Sequence, residues 1–309
     1  MQIIRYCYTS STKPALPPSA MALGFFDGVH LGHRALIKRA IDIANERGLT
    51  SAVLTFPSEN EKLKSNSQRL YTTEEKLSLL KECGVDIAVV VDFDSVSDLS
   101  PESFVDEVLI RDLRVEVALS GTSFRFGHMA KGDFSLLEKR MKENGRSAIA
   151  EELHFTNDEN GDTVLLSSSI IRQKLKEGKL DVANAMLGSP YRIQGKVVHG
   201  RGQGRSFGFP TVNLPLNLGT PLRLGVYSGT AVIDGRSYPA LTNIGACPTV
   251  GEREVHAEAF LLDFEGDLYE KEIIIYIKSF IREERSFESV DALCEQIRRD
   301  VSSLNERNI

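Results

Sequence analysis

Apolar residues in the first part of the chain fall in short continuous runs separated by stretches of helical spacing. Ala20 to Leu23 is one such run, and Leu36, Ile37, Ala40, Ile41 and Ala44 then recur at helical intervals until Gly48 ends the helix. The pattern next predicts a strand over Ser51 to Phe56, a polar surface loop over residues 57 to 70, and a helix opened by Thr73, Glu75 and Lys76 and stopped by Gly84. Ile87 to Val91 is wholly apolar, as suits a strand covered on both faces. Pro101 sits where a first helical turn tolerates it, ahead of a helix over Phe104 to Leu113. Val115 to Leu119 reads as a strand, Asp133 to Asn144 as a helix and Ser147 to Leu153 as a strand. Such alternation predicts an α/β unit with a parallel sheet wound on both faces, its ligands held at the carboxyl ends of the strands.

The character changes near Gly188, Ser189 and Pro190. Short β-branched and aromatic runs follow at Ile193 to Val198, Tyr227 to Ile233, Tyr238 to Asn243, His256 to Asp263 and Ile273 to Lys278, divided by Gly, Pro and Asp. That spacing predicts an all-β barrel. A helix over Ser289 to Leu304 closes the chain, with Val290, Leu293, Ile297 and Val301 on one face. The expected division is therefore residues 1–187 and a smaller unit over 188–309.

The length of 309 residues allows each unit its own core. A net charge of −6, shared between both halves, argues against a nucleic-acid partner. Cys7, Cys83, Cys247 and Cys294 are far apart with no CxxC, so neither a disulfide framework nor a zinc ribbon is indicated. The first residues hold no apolar core of a leader, and no run approaches a membrane span, so a cytoplasmic protein without a membrane partner is expected.

GFFDGVHLGH, Gly24 to His33, places two imidazoles at a turn between a predicted strand and helix. A helix start offers unpaired N–H groups and about half a positive charge. Gly28 and Gly32 let the backbone approach a ligand, and His30 and His33 can hydrogen-bond phosphoryl oxygens as charge develops there, which points to nucleotidyl transfer. HxxH alone also describes a surface pair or half a metal site, but no further His or Cys pair stands at metal spacing. In LSSSIIR, Ser167, Ser168 and Ser169 stand at a second helix start with Arg172 in its first turns, a set that suits either triphosphate oxygens or plain capping. GKVVHGRGQGRSFGFPTVN, Gly195 to Asn213, matches neither GxGxxG before a helix nor GxxxxGK followed by Ser or Thr. It reads as a flexible loop whose amides approach phosphates, followed by Thr211 and Asn213 presenting two oxygens on one side of an extended segment, as a magnesium site needs.

Taken together, these motifs closely resemble those of the bacterial bifunctional riboflavin kinase/FAD synthetases, a branch of the HxGH nucleotidyltransferases. The resemblance covers about residues 20 to 300, with independent motifs in both halves. It implies a Rossmann-like nucleotidyltransferase domain that adenylylates FMN to FAD, then a riboflavin kinase β-barrel, both using Mg2+ and ATP. It assigns Gly24, Phe25, Gly28, Gly32, Ser167, Ser168, Ser169, Gly195, Gly200, Gly208 and Pro210 to ATP and its phosphates, and Thr211 and Asn213 to the metal. In GTSFRFG, Ser123, Phe124 and Phe126 correspond to flavin-binding positions, and Glu258 in HAEAFLLDF to the general base of the kinase. His30, His33 and Arg172 complete the implied catalytic set. The chain departs from the family pattern at Ser123, Cys247 and Phe260 and has no histidine after Thr55 and Phe56. Those departures leave two alternatives, an adenylyltransferase with one or an altered activity and a flavin- or nucleotide-binding regulator. The implied partners are small molecules only, the expected state is a monomer or weak homo-oligomer, and His128, His154, His199 and His256 are expected to be structural or surface residues.

Overall fold

The computed structural model describes all residues except 61–67, 153, 158–160, 162, 201–203, 205–206, 217–218, 249–252 and 308–309. The chain divides by its contacts into two compact units, Met1–Ser168 and Ser169–Ile309. This division falls ahead of the 187/188 boundary expected from composition.

In the first unit six parallel strands, β1 (Gln2–Tyr6), β2 (Ser19–Leu23), β3 (Thr50–Thr55), β4 (Ile87–Val91), β5 (Val115–Gly121) and β6 (Ser147–Glu151), lie in the order β1-β4-β3-β2-β5-β6. From β2 the chain winds one way through β3 and β4 and the other way through β5 and β6. Because parallel crossovers are right-handed, the two windings carry their helices on opposite faces and leave a crevice at the carboxyl end of β2. All five residues of both β2 and β4 are buried, as strands covered on two faces should be. The helices are α1 (Leu31–Arg47), stopped by Gly48 at φ 65°, α2 (Thr73–Glu82), opened by a capping box between Thr72 and Glu75, and α3 (Phe134–Glu143), capped by Asp133.

Three features depart from the periodicity. The edge strand β1 was not expected, because its alternation is short and Ile3 remains exposed. Phe104–Asp112 is wound as a π-helix after a single turn at Pro101–Ser103, with the Leu113 N–H reaching back to the Val108 carbonyl. The segment expected as a surface loop over 57 to 70 is pinned at both described ends, where Ser58 and Leu70 are buried, while its middle lies outside the described residues. A hairpin of β7 (Phe155–Asn157) and β8 (Thr163–Leu165) completes this unit.

Helix α4 (Ser168–Lys176) starts on the last residue of the first unit and otherwise belongs to the second, which continues with α5 (Leu180–Leu187), ended by Gly188 at φ 75°. Six antiparallel strands follow: β9 (Tyr191–Lys196), β10 (Thr211–Leu216), β11 (Gly225–Ile233), β12 (Arg236–Pro248), β13 (Arg253–Leu261) and β14 (Glu272–Arg282). Their order is β10-β13-β12-β11-β14-β9, and an antiparallel bridge between Val198 and Asn213 joins the two edges into a barrel. Ala257, Ala259 and Leu261 are buried, while Glu258 between them is exposed. The terminal helix α6 (Val290–Arg307) lays Ile297, Val301 and Leu304 against Val226, Leu241 and Phe260.

An ion pair between half-buried Arg282 and buried Asp300 ties α6 to the sheet: Arg282 Nε donates to Asp300 at 2.9 Å, and Gln296 Nε2 donates to the other carboxylate oxygen at 2.7 Å. Asp300→Ala leaves the Arg282 guanidinium without that partner and is expected to destabilise this unit by about 3 kcal/mol, read as a lowered midpoint in denaturant.

Candidate functional site

At the end of β2 the Gly24 N–H still donates to the Leu54 carbonyl, after which the backbone leaves the sheet through a strained turn. Phe26 (φ 55°), Gly28 (φ 86°) and Val29 (φ 42°) all lie in the left-handed region, which only glycine occupies without cost. Strain of this kind persists where the surroundings over-determine it. Here the Phe25 carbonyl accepts from Thr55 Oγ1 at 2.9 Å and from Lys76 Nζ at 3.2 Å. The Asp27 carboxylate accepts from the Leu70 N–H at 2.9 Å, the Asp27 carbonyl from Ser168 Oγ at 2.7 Å, and the Val29 carbonyl from Arg34 Nε at 3.0 Å.

The turn delivers His30 as the N-cap of α1, its Nδ1 facing the His33 N–H at 3.4 Å. The two imidazoles stack with centroids 3.6 Å apart and planes 19° apart, and Phe26 meets His33 edge-on at 5.3 Å. Burial pushes His30 down to about 4, helped by the nearby His154 ring. Burial, then His30 and Lys76, holds His33 well below its ordinary value. Both rings are thus neutral at neutral pH, and the contact from the His33 amide leaves the His30 proton on Nε2, free to be donated. His154, expected as a structural or surface residue, stands against this site: a Cβ at Gly32 would touch both its ring and that of His30 at 3.4 Å.

Of the other anticipated residues in this unit, the Phe25 ring lies under Lys76 Nζ at 4.3 Å and the Arg69 guanidinium at 4.7 Å. Ser123 is exposed in the turn after β5. Phe124 stacks on Phe126 at 5.7 Å, and Phe126 is buried in the core against Phe104. Ser167 lies just ahead of α4. Ser169 and Arg172 are grouped with the second unit, where buried Arg172 donates from Nη2 to Ser169 Oγ at 3.0 Å. Lys76 is the residue that sequence reasoning missed. It was read as a helix-opening position, yet it is wholly buried at the strained turn.

The second unit holds a cavity of about 260 Å³ on the outer face of the barrel, beside α6. Strand register assembles its polar wall. Asn213 on β10 and Asn243 on β12 both stand opposite Glu258 on β13, which makes a row of three side chains on one face, and Thr211 lies two residues from Asn213 on that face. Thr211, Glu258 and Asn243 line the cavity, and Asn243 Nδ2 donates to Glu284 Oε1 at 3.0 Å. The apolar wall includes Phe207, Phe209, Leu241 and Phe287.

Residues 201–203 and 205–206 of the glycine-rich stretch lie outside the described residues, and its other positions are placed. A Cβ on Gly200 would overlap the Asn213 amide, and one on Gly204 would overlap the Phe209 carbonyl. Gly208 has φ 82° and is exposed beside Pro210, whereas Gly195 sits in β9 opposite Ile273, where a Cβ would meet Leu214 at an ordinary 3.8 Å. Phe260 faces Thr211 across the ladder and packs edge-on to Phe209 at 5.4 Å. The Cys247 side chain lies outside the described set.

Residues 12–163 match the family model for FAD synthetase and residues 187–307 that for riboflavin kinase. A bifunctional riboflavin kinase/FMN adenylyltransferase of Escherichia coli strain K12 is 36% identical over 311 residues, covering 99% of this chain and 97% of its own. The chain belongs to the bifunctional riboflavin kinase/FMN adenylyltransferase family. A relative of that description from Bacillus subtilis strain 168 is 37% identical over 291 residues, covering 91% of this chain and 90% of its own. A solved structure titled as a macrolide-efflux protein from Streptococcus pneumoniae superposes with a TM-score of 0.83 at 27% identity, over 99% of both chains. Among the described residues of this family member no helix is long and apolar enough to cross a membrane.

The buried imidazoles bear on stability. A histidine whose pKa falls from 6.5 to about 4 on folding contributes stability that is complete above 6.5 and is lost as pH falls toward 4. His30 is therefore expected to cost the first unit up to about 3 kcal/mol between those limits. Thermal unfolding across that window should show the loss, and His30→Gln should reduce it while the share of His33 persists.

Proposed function

We propose that the chain phosphorylates riboflavin to FMN in its second unit and adenylylates FMN to FAD in its first, with ATP as donor in both reactions. The observation that carries the reading is the row Asn213–Glu258–Asn243, of which Glu258 and Asn243, together with Thr211, line a cavity that also has an aromatic wall. A flat heterocycle suits the aromatic wall, and a hydroxyl chain suits the polar one.

In the kinase reaction Glu258 takes the proton of the terminal ribityl hydroxyl as that oxygen attacks the γ-phosphorus. The bond to the bridging oxygen breaks and ADP leaves. Thr211 and Asn213 offer hard oxygen donors beside Glu258, and a site with few protein ligands fits Mg2+, which keeps waters and substrate phosphates as its remaining partners. The ion, when bound, neutralises phosphate charge. Gly200, Gly208 and Pro210 belong to the phosphate side of this site by their motif.

In adenylylation a phosphate oxygen of FMN attacks the α-phosphorus of ATP and pyrophosphate leaves. His30 donates its Nε2 proton to the phosphoryl oxygens. The amides at the start of α1 and the close approach allowed by Gly24, Gly28 and Gly32 add neutral donors. No covalent intermediate is required, so positioning and charge stabilisation supply the acceleration. The roles of Ser167, Ser169 and Arg172 in holding ATP, of Gly195 near phosphate, and of Ser123 and Phe124 in holding flavin rest on the motifs alone, with Phe126 as the buried anchor of that loop. We place the functional boundary at 187/188, the protein in the cytoplasm as a monomer or weak homo-oligomer, and its partners among small molecules rather than nucleic acids.

Resolving flavins after incubation with ATP and riboflavin tests both activities. His30→Ala should abolish FAD while FMN still accumulates. Glu258→Gln should slow FMN formation by about 100-fold or more and leave conversion of supplied FMN to FAD intact. Loss of FMN formation in His30→Ala, or of FAD formation from supplied FMN in Glu258→Gln, contradicts separate sites.

A further inference from the structure

Lys76 has no exposed surface, and among the described residues it has no carboxylate within ion-pairing distance. Its Nζ donates to the Phe56 carbonyl at 2.6 Å and the Phe25 carbonyl at 3.2 Å and lies over the Phe25 ring. A buried lysine is costly and is ordinarily paired. This one instead ties the segment after β3 to the first residue of the strained turn. Its charge reaches the reactive groups, since it is among the causes that depress His33. With His30 and His33 both neutral, the imidazoles themselves bring no formal positive charge to a tetra-anionic substrate.

We propose that Lys76 is a positioning residue for adenylyl transfer, which anchors the Phe25–Val29 turn through the Phe25 carbonyl and lends the polyphosphate site a standing positive charge. The substrate class it serves is a nucleoside triphosphate, whose oxygens carry the opposite charge. This rests on the assignment of adenylyl transfer to the first unit. Burial pushes the ammonium down to about 8, opposed by Asp27 and Glu59 and aided by Arg69, and His33 also faces it from α1. The charge is then present below pH 8 and lost above it.

The test uses the full chain, with riboflavin phosphorylation as an internal control for folding. Lys76→Met should lower kcat/KM for ATP in FMN adenylylation by about 30-fold or more and leave riboflavin phosphorylation unchanged. In the unaltered protein kcat/KM for ATP should fall about tenfold per pH unit above 8, and that fall should be absent in Lys76→Met. Thr55→Val removes the other hydrogen bond to the Phe25 carbonyl without touching the charge, and should show a smaller loss with the pH dependence intact. Adenylylation by Lys76→Met within threefold of the unaltered protein overturns the proposal, as does a pH fall that persists in that variant. Should Lys76→Met not fold, a flat profile from pH 7 to 9 in the unaltered protein overturns it equally. No FAD from the unaltered protein at any pH would instead remove the adenylylation reading beneath it.

Discussion

The first unit depends on keeping a turn of three left-handed residues open at the end of a central strand. Each such residue other than glycine costs on the order of 1–3 kcal/mol, so Phe26 and Val29 stay in place only because their neighbours hold the backbone on every side. Thr55, Lys76, Leu70, Ser168 and Arg34 each bond a group of the turn or its flanks, and they come from places far apart in the chain. The result is a helix start aimed into the crevice where the sheet order reverses, with two stacked neutral imidazoles at its mouth. Catalysis by positioning requires such rigidity, because donors that had to reorganise would lose most of their advantage.

The second unit solves a different problem with register. Glu258, Asn213 and Asn243 are dispersed over some fifty residues, and only antiparallel pairing across β10, β13 and β12 sets them in one row. The alternation that buries Ala257 and Ala259 inside the barrel turns Glu258 outward, into a cavity beside α6. A slip of one residue would exchange the carboxylate for an alanine and lose both barrel core and polar wall. The Arg282–Asp300 pair supports that wall by fixing α6 against the sheet.

Much of this was legible beforehand. Continuous apolar runs predicted the buried parallel strands, glycines at left-handed helix ends predicted where α1 stops, and the spacing of FDGVHLGH placed His30 at a helix entrance. The illegible parts share a cause. Strand β1 is too short and half-exposed to show a period, the π-helix keeps an apolar face compatible with ordinary winding, and the Leu70 amide is held by Asp27 from 43 residues away. His154 and Lys76 gave no local signal, since an isolated histidine and a lysine early in an amphipathic helix most often face solvent.

Sequence alone determined the α/β character of the first part and the β character of the second, the end of α1 at Gly48, and which residue types stand ready for phosphate chemistry, because periodicity and turn propensity act over a few residues. Tertiary structure decided the charge state of the imidazoles, the burial of Lys76 and the meeting of Glu258 with Asn213 and Asn243. Those depend on desolvation and strand register, which are set by segments that only folding brings together.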